Sequence, residues 1–600
     1  MAPKAPRKKV MEEALDEVAP RARLHKLVIK NFRAIGRAEV SIELDDIVVL
    51  VGPNNSGKSS ILRAYEVVMQ SGRLNELSLE DFPGGKVPEE DADAFPTIEL
   101  ETVLYEGSKP PAEKWIEVKP NGDRHVRERW VWKNVGKPEK RGFNVEEGDW
   151  DKNHGPWGIS SVAQVNRPEP HRIDAFHDPQ TQAADIVNLL HTALKERIKD
   201  ISQAKAEREE EKSQYELLLE SVAALQKQVA VDALGAIEQV QNSLNDSISE
   251  VFPGYRISLD ARPEDDLDKV LSFFKTSPLL RMGPADGHQA TLEHQGSGAR
   301  RTLLWTALRI LAEHKRGKVE KEELAGRPYV LLLDEPEMCL HPSAIRDACN
   351  VLYSLPVGKK WQVMVTTHSP VFIDLSRDNT SIVRVERTVD GDVSGTTIFR
   401  PERAKLSEDD REELKMLNLY DPYVAEFFFG GRTIVVEGDT EYTAFKEVMA
   451  ENKARFGDVH IVRARGKYTI VALCKVLNQF GKPYAVLHDS DKEMIEGKKG
   501  LRRNSAWAAN EKILDAVGPQ RGNVILAASI PNFEISMFDG PAEGEKPYGA
   551  WERVRKDPET RERVSSLLEF LVGKRDVPPK NILAWNAIED LKAAVDNYEL

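Results

Sequence analysis

Cysteine is scarce in this sequence, and the features of exported or membrane-bound proteins are absent. The three cysteines, Cys339, Cys349 and Cys474, have a spacing that fits neither a disulfide framework nor a zinc site. No apolar run approaches the roughly 20 residues needed to cross a bilayer. The basic tail, residues 1–21, lacks the apolar stretch of a signal peptide. The sequence therefore predicts a cytoplasmic protein with no membrane partner.

Positive charge is also in deficit, because 84 Lys and Arg residues face 98 Asp and Glu residues, for a formal net charge of −14. A general nucleic-acid coat would be basic throughout, so this balance excludes one. The deficit is uneven: residues 431–600 carry 26 basic and 26 acidic side chains, and residues 461–510 carry 10 against 4. That local excess predicts either a phosphate-binding face or a merely solvated one. Its members include Arg463, Arg465, Lys467, Lys498, Lys499, Arg502 and Arg503.

Apolar periodicity gives the chain an α/β pattern with one helical interruption. Short apolar strands alternate with turns or helices on both sides of residues 183–251. Residues 183–251 lack proline and repeat apolar residues at helical spacing. This segment is either a set of ordinary core helices or an insertion that pairs with another protomer.

A phosphate-binding loop is the first motif with chemical content. GPNNSGKS, residues 52–59, fits the pattern G-x-x-x-x-G-K-[ST] between an apolar strand and a helical run. Its glycines let backbone N–H groups approach phosphates, Lys58 can reach the β and γ phosphates, and the Ser59 hydroxyl can ligate Mg²⁺. The residues predicted to bind ATP here are Asn54, Asn55, Ser56, Gly57, Lys58, Ser59 and Ser60.

Residues after two further apolar strands supply partners for this loop. In VLLLDEPE, Asp334 ends the strand and is predicted to join the Mg²⁺ shell, while Glu335 is the predicted general base for the attacking water. His368, after the strand in WQVMVTTHSP, can hydrogen-bond the γ-phosphate. Ser297 and Gly298 open a helix whose N-terminus would hold an anion, although the nearby sequence supplies no phosphate.

Acidic residues gather after three apolar strands in the last part of the chain. Glu437 follows TIVV, Asp489 and Asp491 follow AVLH, and Glu534 follows a third strand. Glu441 would lie on the same face as Glu437 if a helix begins there. Because clustered carboxylates repel one another, they predict metal ions among them. Oxygen ligands favour Mg²⁺, with Mn²⁺ or Ca²⁺ as alternatives.

The phosphate-site motifs together resemble the ATP-binding-cassette ATPases of the SMC/RecF branch. GPNNSGKS resembles the Walker A motif, LLLDEPE the Walker B motif and D-loop, TTHSP the switch-histidine segment, and QGSGARR a variant signature motif. In that family the signature of one protomer closes over ATP bound by the other. The resemblance therefore implies a homodimer or higher homo-oligomer and places Ser297 on the partner's nucleotide. Gln164 is a weak match for the family's Q-loop glutamine.

The acidic pattern resembles Toprim domains of topoisomerases, primases and nucleases. VVEGDTE, residues 435–441, with a later glutamate most resembles the version in the overcoming-lysogenization-defect (OLD) nucleases, which include the nuclease subunit of the Gabija anti-phage system. The resemblance implies two-metal cleavage of DNA, with the five acidic residues as metal ligands or their supports. It also implies a catalytic lysine, for which Lys580 is weakly preferred over Lys574.

Both resemblances predict an α/β fold, an ABC-type (SMC/RecF-like) ATPase head with a helical insertion followed by a Toprim domain. The predicted segments are a basic tail (1–21), the first part of the ATPase (22–180), a helical insertion with a predicted dimerisation role (181–252), the second part of the ATPase (253–385), a linker (386–430) and the Toprim nuclease domain (431–600).

The predicted function is an ATP-binding and ATP-hydrolysing, divalent-metal-dependent DNA endonuclease in anti-phage defence. A UvrD-like helicase is a further partner that the Gabija branch would imply. Two alternatives stay open: an SMC/RecF-like DNA-binding ATPase in repair, and an ATPase sensor without nuclease activity of its own. Topoisomerase activity is disfavoured because no strand-passage module accompanies the Toprim pattern.

Overall fold

A computed structural model describes most of the chain between residues 23 and 599. The described ranges are 23–70, 75–89, 91–104, 110–152, 154–157, 168–174, 180–181, 183–184, 186–187, 190, 238–246, 248–249, 254–260, 279–313, 329–358, 361–375, 377, 379–388, 391–421, 424–497, 500–540 and 546–599. Gln164 and most of the predicted insertion at 181–252 lie outside these ranges.

The strands account for five separate sheets. They are β1 (Arg23–Lys30), β2 (Val40–Glu43), β3 (Ile47–Val51), β4 (Thr97–Val103), β5 (Ile116–Val118), β6 (Arg124–Val131), β7 (Glu139–Asn144), β8 (Asp149–Trp150), β9 (Glu169–Ile173), β10 (Tyr255–Asp260), β11 (Leu279–Pro284), β12 (Ala290–Thr291), β13 (Tyr329–Asp334), β14 (Trp361–Thr366), β15 (Thr380–Arg387), β16 (Val393–Phe399), β17 (Arg432–Val436), β18 (Val459–Arg463), β19 (Tyr484–Asp489), β20 (Met494–Gly497), β21 (Gly500–Arg503), β22 (Val524–Ser529) and β23 (Ile582–Ala584).

The α-helices lie between and around these strands. They are α1 (Lys58–Met69), α2 (Ser297–Glu313), α3 (Pro342–Ser354), α4 (Pro401–Ala404), α5 (Glu408–Tyr420), α6 (Asp439–Glu451), α7 (Lys453–Phe456), α8 (Lys467–Leu477), α9 (Ser505–Val517), α10 (Phe533–Phe538), α11 (Lys546–Lys556), α12 (Pro558–Leu571) and α13 (Ile588–Glu599).

A six-stranded sheet in the order β16-β15-β3-β14-β13-β9 carries the phosphate loop, and its strands are parallel except for β16. All residues of β3 are buried, as expected for a parallel strand covered on both faces. β3 pairs with β14 on one side and β15 on the other, while β13 lies beyond β14. The carboxyl ends of β3, β13 and β14 therefore meet at one edge, where the predicted nucleotide residues follow.

An antiparallel sheet covers one face of this central sheet. Its order is β2-β1-β4-β6-β7-β8, with β5 paired to β6. Leu27 of β1, Ile61 of α1 and Val330 of β13 belong to one buried cluster. The fold packs α1 against both sheets and buries β3 within the central sheet, which fixes the position of the loop that joins them.

The predicted linker at 386–430 begins inside the ATPase sheet, which corrects its boundary. β15 extends to Arg387, and β16 runs back along it with Val385 opposite Gly395. The connection therefore starts after β16, near residue 400, and contains α4 and α5. The sequence of β16 is polar and contains glycine, so it resembles a loop. An edge strand tolerates such a sequence because it pairs with a neighbouring strand on one side only.

The acidic residues of the last segment lie on a five-stranded sheet in the order β18-β17-β19-β22-β23. β18, β17, β19 and β22 are parallel, and β23 is antiparallel. Helices connect the parallel strands, which confirms the predicted α/β fold class. Among the described helices, none is long and apolar enough to cross a membrane.

Candidate functional site

The phosphate loop lies between β3 and α1, and two glycines set its path. Gly52 has a φ of 142° and Gly57 a φ of 103°. A Cβ atom on Gly52 would lie 2.0 Å from the carbonyl oxygen of Val385, so a larger residue would not fit. Gly57 directly precedes α1. The N-terminus of that helix, which attracts anions, therefore opens at the end of the loop.

The donors of this loop fit the phosphates of a nucleotide. Lys58 is buried, and its Nζ donates to the carbonyl oxygens of Gly52 (3.0 Å) and Pro53 (2.9 Å). Burial lowers the pKa of Lys58, while the nearby charge of Glu335 opposes that shift. Within the described residues, Ser56 Oγ is buried without a hydrogen-bond partner. A phosphate oxygen would satisfy this hydroxyl.

The other predicted nucleotide residues of the loop differ in exposure. Asn54 and Asn55 are exposed, whereas Ser60 is buried on α1. Arg387, at the end of β15, donates from Nε to the carbonyl oxygen of Asn55 at 3.1 Å. No local pattern in the sequence signals this contact from a distant strand.

Asp334 and Ser59, predicted together in the Mg²⁺ shell, are in contact. The Oδ1 atom of Asp334 accepts hydrogen bonds from Ser59 Oγ (3.2 Å) and from Thr366 Oγ1 (2.6 Å). Ser59 is the exposed second residue of α1, and Thr366 ends β14. A hydroxyl and a carboxylate are oxygen ligands of the kind Mg²⁺ prefers, so this pair fits the ion that accompanies a bound nucleotide.

Glu335 and His368, predicted as general base and γ-phosphate contact, face one another. The Nε2 atom of His368 lies 3.3 Å from Oε1 of Glu335. Burial and then the charge of Lys58 lower the pKa of His368, so the imidazole is neutral at pH 7. Glu335 has a φ of 44°, a conformation of the kind that clusters at active sites. Its N–H donates to Thr366 Oγ1 at 3.0 Å.

Glu337 belongs to this site although sequence reasoning assigned it no role. Its Oε1 accepts hydrogen bonds from Thr367 Oγ1 (2.8 Å) and from the backbone N–H of His368 (2.7 Å). Burial raises the pKa of Glu337. The residue thus holds the segment that carries His368, and its place two residues after Glu335 is the sole sequence signal for it.

Ser297 and Gly298, the residues of the predicted signature motif, begin α2. A Cβ atom on Gly298 would lie 3.0 Å from the carbonyl oxygen of Cys339, in the turn that follows β13. The described residues include no hydrogen bond between Ser297 and the phosphate loop. The structure therefore does not unite the predicted signature motif with the other nucleotide residues within one protomer.

The second candidate site lies where β17, β19 and β22 end. Glu437 follows β17, Asp489 is the last residue of β19, and Glu534 lies in the first turn of α10, after β22. The Oε2 atom of Glu437 accepts from the backbone N–H of Asp489 at 3.0 Å. The Oδ1 atom of Asp489 accepts from the backbone N–H of Phe533 at 2.8 Å. Neighbouring strand ends thus bring the predicted metal ligands to one edge.

Burial and the charges of neighbouring carboxylates raise the pKa values of Glu437, Glu441 and Asp489. Glu441 is buried on the first turn of α6, and burial, followed by the charges of Glu437 and Glu534, raises its pKa to about 7. Burial and then the charge of Glu441 also raise the pKa of Asp489. Negative charge in this position is costly unless a cation compensates it.

Two lysines that sequence reasoning did not place in the site compensate part of this charge. The buried Lys467 forms an ion pair with Asp491, whose φ is 58°. The Nζ atom of Lys546 lies 3.0 Å from Oε1 of Glu534. The sequence places Lys467 in the predicted basic face, and no sequence pattern marks Lys546.

The donor set fits divalent metal ions, because every candidate ligand is a carboxylate oxygen. Within the described residues, no three of these carboxylates bring one oxygen each within 4.8 Å of one another. The carboxylates thus border an extended edge rather than one compact shell. That spread is compatible with two ions, each held by a few protein oxygens.

The two candidate catalytic lysines lie in different surroundings. Lys580 is exposed and precedes Asn581, whose carbonyl oxygen accepts from Ser536 Oγ (3.3 Å) on the helix that carries Glu534. Lys574 donates from Nζ to the carbonyl oxygen of Arg455 at 2.6 Å. The backbone therefore brings Lys580, and not Lys574, next to the helix of an acidic residue.

The predicted basic face is only partly available. Arg463 bonds Asp439 (2.8 Å) and Asp421 (3.3 Å), and Lys467 is buried. Lys498 and Lys499 lie outside the described residues. Arg502 is exposed on β21, beside Leu501. The hairpin of β20 and β21 begins three residues after Asp491 and carries Arg502.

Two family models match separate parts of the chain. The family description "AAA ATPase domain" matches residues 23–154 and 165–373. The description "Overcoming lysogenization defect protein-like, TOPRIM domain" matches residues 428–491. The second match contains four of the predicted ligands and ends before the fifth, Glu534.

Two nucleases resemble the chain over most of its length. The OLD nuclease of Thermus scotoductus is 24% identical over 585 residues, which cover 92% of this chain and 99% of that protein. The Old nuclease of Escherichia phage P2 is 24% identical over 476 residues, which cover 78% and 77%. Among solved structures, an Smc head bound to the C-winged helix domain of ScpA aligns at 14% identity and a TM-score of 0.37, covering 64% of this chain and 99% of that one.

Proposed function

Because the chain belongs to the overcoming-lysogenization-defect family, with an AAA ATPase domain and a Toprim domain in one chain, we propose that it is an ATP-regulated, divalent-metal-dependent DNA endonuclease that acts in anti-phage defence. Family membership accounts for the ATPase and nuclease activities. The metal dependence, the two-metal site, the DNA substrate and the biological role are our proposal.

One observation carries the proposal: carboxyls share one edge of the Toprim sheet, and the pKa values of Glu437, Glu441 and Asp489 are raised. Burying Glu441 beside the half-buried Glu437 and Asp489 costs free energy that packing alone does not offset. Such an arrangement is typical of sites where charge is tuned for chemistry. When bound, divalent ions would activate water and stabilise the leaving oxygen of a phosphodiester.

The residues of this edge have separate roles in the proposed reaction. Glu437, Glu441, Asp489 and Glu534 would hold the ions and thereby orient the scissile phosphate, with Asp491 as a further ligand or support. Lys580 would neutralise charge that develops on the phosphate, and it can extend toward the edge from its exposed position.

The ATPase site would control when cleavage occurs. Lys58 would contact the β and γ phosphates, and Ser59 with Asp334 would hold Mg²⁺. Glu335 would accept a proton from the attacking water while His368 contacts the γ-phosphate. Ser297 would reach the nucleotide of a second protomer, as the resemblance to the SMC/RecF branch implies. A homodimer that closes on ATP is therefore part of the proposal.

Cleavage of supercoiled plasmid by the full-length chain tests the proposal. We expect nicking with Mg²⁺ or Mn²⁺ and none with chelator. Asp489→Asn should lower the rate by at least 100-fold while ATP binding persists, because the Toprim edge is separate from the phosphate loop. Asp576→Asn, which alters an exposed acid of the same domain, is the matched control and should cleave as the unmodified chain does.

Two outcomes would contradict the proposal. Equal cleavage by Asp489→Asn and Asp576→Asn would show that the acidic edge is not the nuclease site. ATP hydrolysis without cleavage under any metal would favour the alternative of a DNA-binding or sensor ATPase.

Co-purification with a helicase would test the remaining expectation that a UvrD-like partner acts with this chain.

A further inference from the structure

Three neighbouring strands of the antiparallel sheet bring together two histidines and a glutamate that neither site uses. His25 lies on β1, Glu101 on β4 and His125 on β6, and these strands are adjacent in the order β1-β4-β6. The register pairs Leu24 with Thr102 but Lys26 with Glu101, so His25 is the extra residue of a β-bulge. A bulge redirects a side chain, and here it brings His25 into contact with His125.

The three side chains are close enough to share one ion. The Nδ1 atom of His125 lies 2.6 Å from Oε1 of Glu101, and the imidazole rings of His25 and His125 are 4.8 Å apart, edge to face. One ligand atom from each residue lies within 4.8 Å of the other two, and no other group of His, Cys, Asp or Glu in the described chain has this arrangement. A tetrahedral zinc shell separates ligand atoms by about 3.3 Å, so small side-chain rotations would complete it.

Neighbouring charges leave Glu101 available as a ligand. The Nζ atom of Lys119 is closer to Glu117 (2.7 Å) than to Glu101 (3.7 Å). Arg400 has its guanidinium bonded to Glu43 at 2.7 Å and Asp45 at 3.2 Å. The side chains of Lys119 and Arg400 thus each have a carboxylate other than Glu101 as their nearest partner.

The burial of the two histidines also suits ligation. His125 is buried and His25 is half-buried, which would leave room for a water at a fourth position.

We propose that His25, Glu101 and His125 form a structural site for a transition-metal ion, with Zn²⁺ the best fit. Two imidazole nitrogens and one carboxylate oxygen favour Zn²⁺, whereas the all-carboxylate Toprim edge favours Mg²⁺ or Mn²⁺. The ion would join β1, β4 and β6 beside Arg400, which leads into the segment between the two domains. This proposal does not depend on the proposed nuclease function.

Metal content after chelator treatment and reloading tests this site in the full-length chain. The protein would be incubated with Zn²⁺ in excess Mg²⁺, desalted and measured by mass spectrometry of the metal. We expect one Zn²⁺ per chain. His25→Gln and His125→Gln should each weaken Zn²⁺ binding by about 100-fold or more. Even a residue that only hydrogen-bonds a metal ligand contributes about 10–100-fold to metal affinity. His154→Gln, an exposed histidine of the same domain, and Asp489→Asn, on the Toprim edge, should keep the ion.

A sulfur ligand gives a readout that a purely structural histidine would not change. His25→Cys should retain Zn²⁺, and its Co²⁺ form should show a thiolate charge-transfer band that the unmodified chain lacks. ATP binding by each variant reports whether the ATPase domain is folded. The proposal is overturned if the unmodified chain keeps no Zn²⁺, if His125→Gln keeps as much, or if Asp489→Asn loses it.

Discussion

At the scale of single residues, each candidate site buries a charged group, and the two groups have opposite signs. Lys58 is a buried cation whose pKa is lowered first by burial, with the charge of Glu335 acting against the shift. Glu441 is a buried carboxyl and Asp489 a half-buried one, and the pKa values of both are raised by desolvation and then by neighbouring carboxylates. The first site thus favours an anionic ligand and the second a cationic one, which matches nucleotide and metal respectively.

The pKa of Glu441 predicts how pH affects the protein in chelator. Its pKa rises from 4.5 unfolded to about 7 folded, so the folded state binds more protons and stability falls as pH increases through this window. The loss is about 3 kcal/mol at most. Thermal melts at pH 5 and pH 7.5 should show it, and Mg²⁺ should restore stability mainly at the higher pH.

Glu441→Gln should flatten this pH dependence and weaken the effect of Mg²⁺, because the amide cannot ionise. Glu562→Gln, an exposed glutamate of α12, serves as the control and should melt as the unmodified chain does at both pH values. A pH profile that is identical in Glu441→Gln and the unmodified chain would refute the assignment.

At the scale of elements, the hairpin of β20 and β21 differs from the rest of the Toprim sheet. It pairs only with itself, with Ile495 opposite Arg502. The side chain of Leu501 is 72% exposed. The hairpin begins just after Asp491 and carries exposed basic residues. It is therefore suited to contact the DNA backbone beside the acidic edge.

Arg502→Ala should therefore weaken DNA binding without affecting ATP hydrolysis. Loss of one phosphate contact should also reduce the slope of log affinity against log salt by about 1. Fluorescence anisotropy across a salt series measures both effects. Arg521→Ala removes an exposed arginine that precedes β22, at the opposite end of that strand from the acids, and should change neither. Equal slopes for the two variants would exclude the hairpin as a phosphate contact.

At the scale of the whole molecule, one buried core spans the ATPase domain, the connecting segment and the Toprim domain. Phe428, in the connection, stacks on Phe427 with ring centroids 4.5 Å apart and contacts Phe399 of β16 and Phe480 after α8. Lys475 of α8 also bonds Asp410 of α5 at 2.5 Å. Such a joint transmits motion between the domains better than a flexible linker would.

Phe428→Ala should loosen this joint by about 3–5 kcal/mol, the usual cost of truncating a buried phenylalanine. Differential scanning calorimetry should show one unfolding transition in the unmodified chain and two in the variant, as the domains lose their shared core. Phe428→Leu retains most of the packing and should keep a single transition. Two transitions in the unmodified chain would show that the domains are already independent.

Local sequence was enough for the features that depend on short stretches of backbone. The glycines of the phosphate loop, the apolar strands and the acids at their ends all follow from residue order, because strand and turn geometry are set within a few residues. These features also predicted the fold class and the family, which the topology and the comparisons confirm. The boundary of the linker was misplaced because β16 is recognisable only through its pairing with β15.

Tertiary structure alone decided which distant residues meet. Glu337 holds the His368 segment, Lys546 pairs with Glu534, and His25 meets His125 across three strands. No periodic pattern in the sequence predicts these contacts. Each depends on the order of strands in a sheet or on how loops pack at the edge of a sheet. The sequence by itself determined the chemistry available at each strand end, and the packing of the sheets determined which of those groups act together.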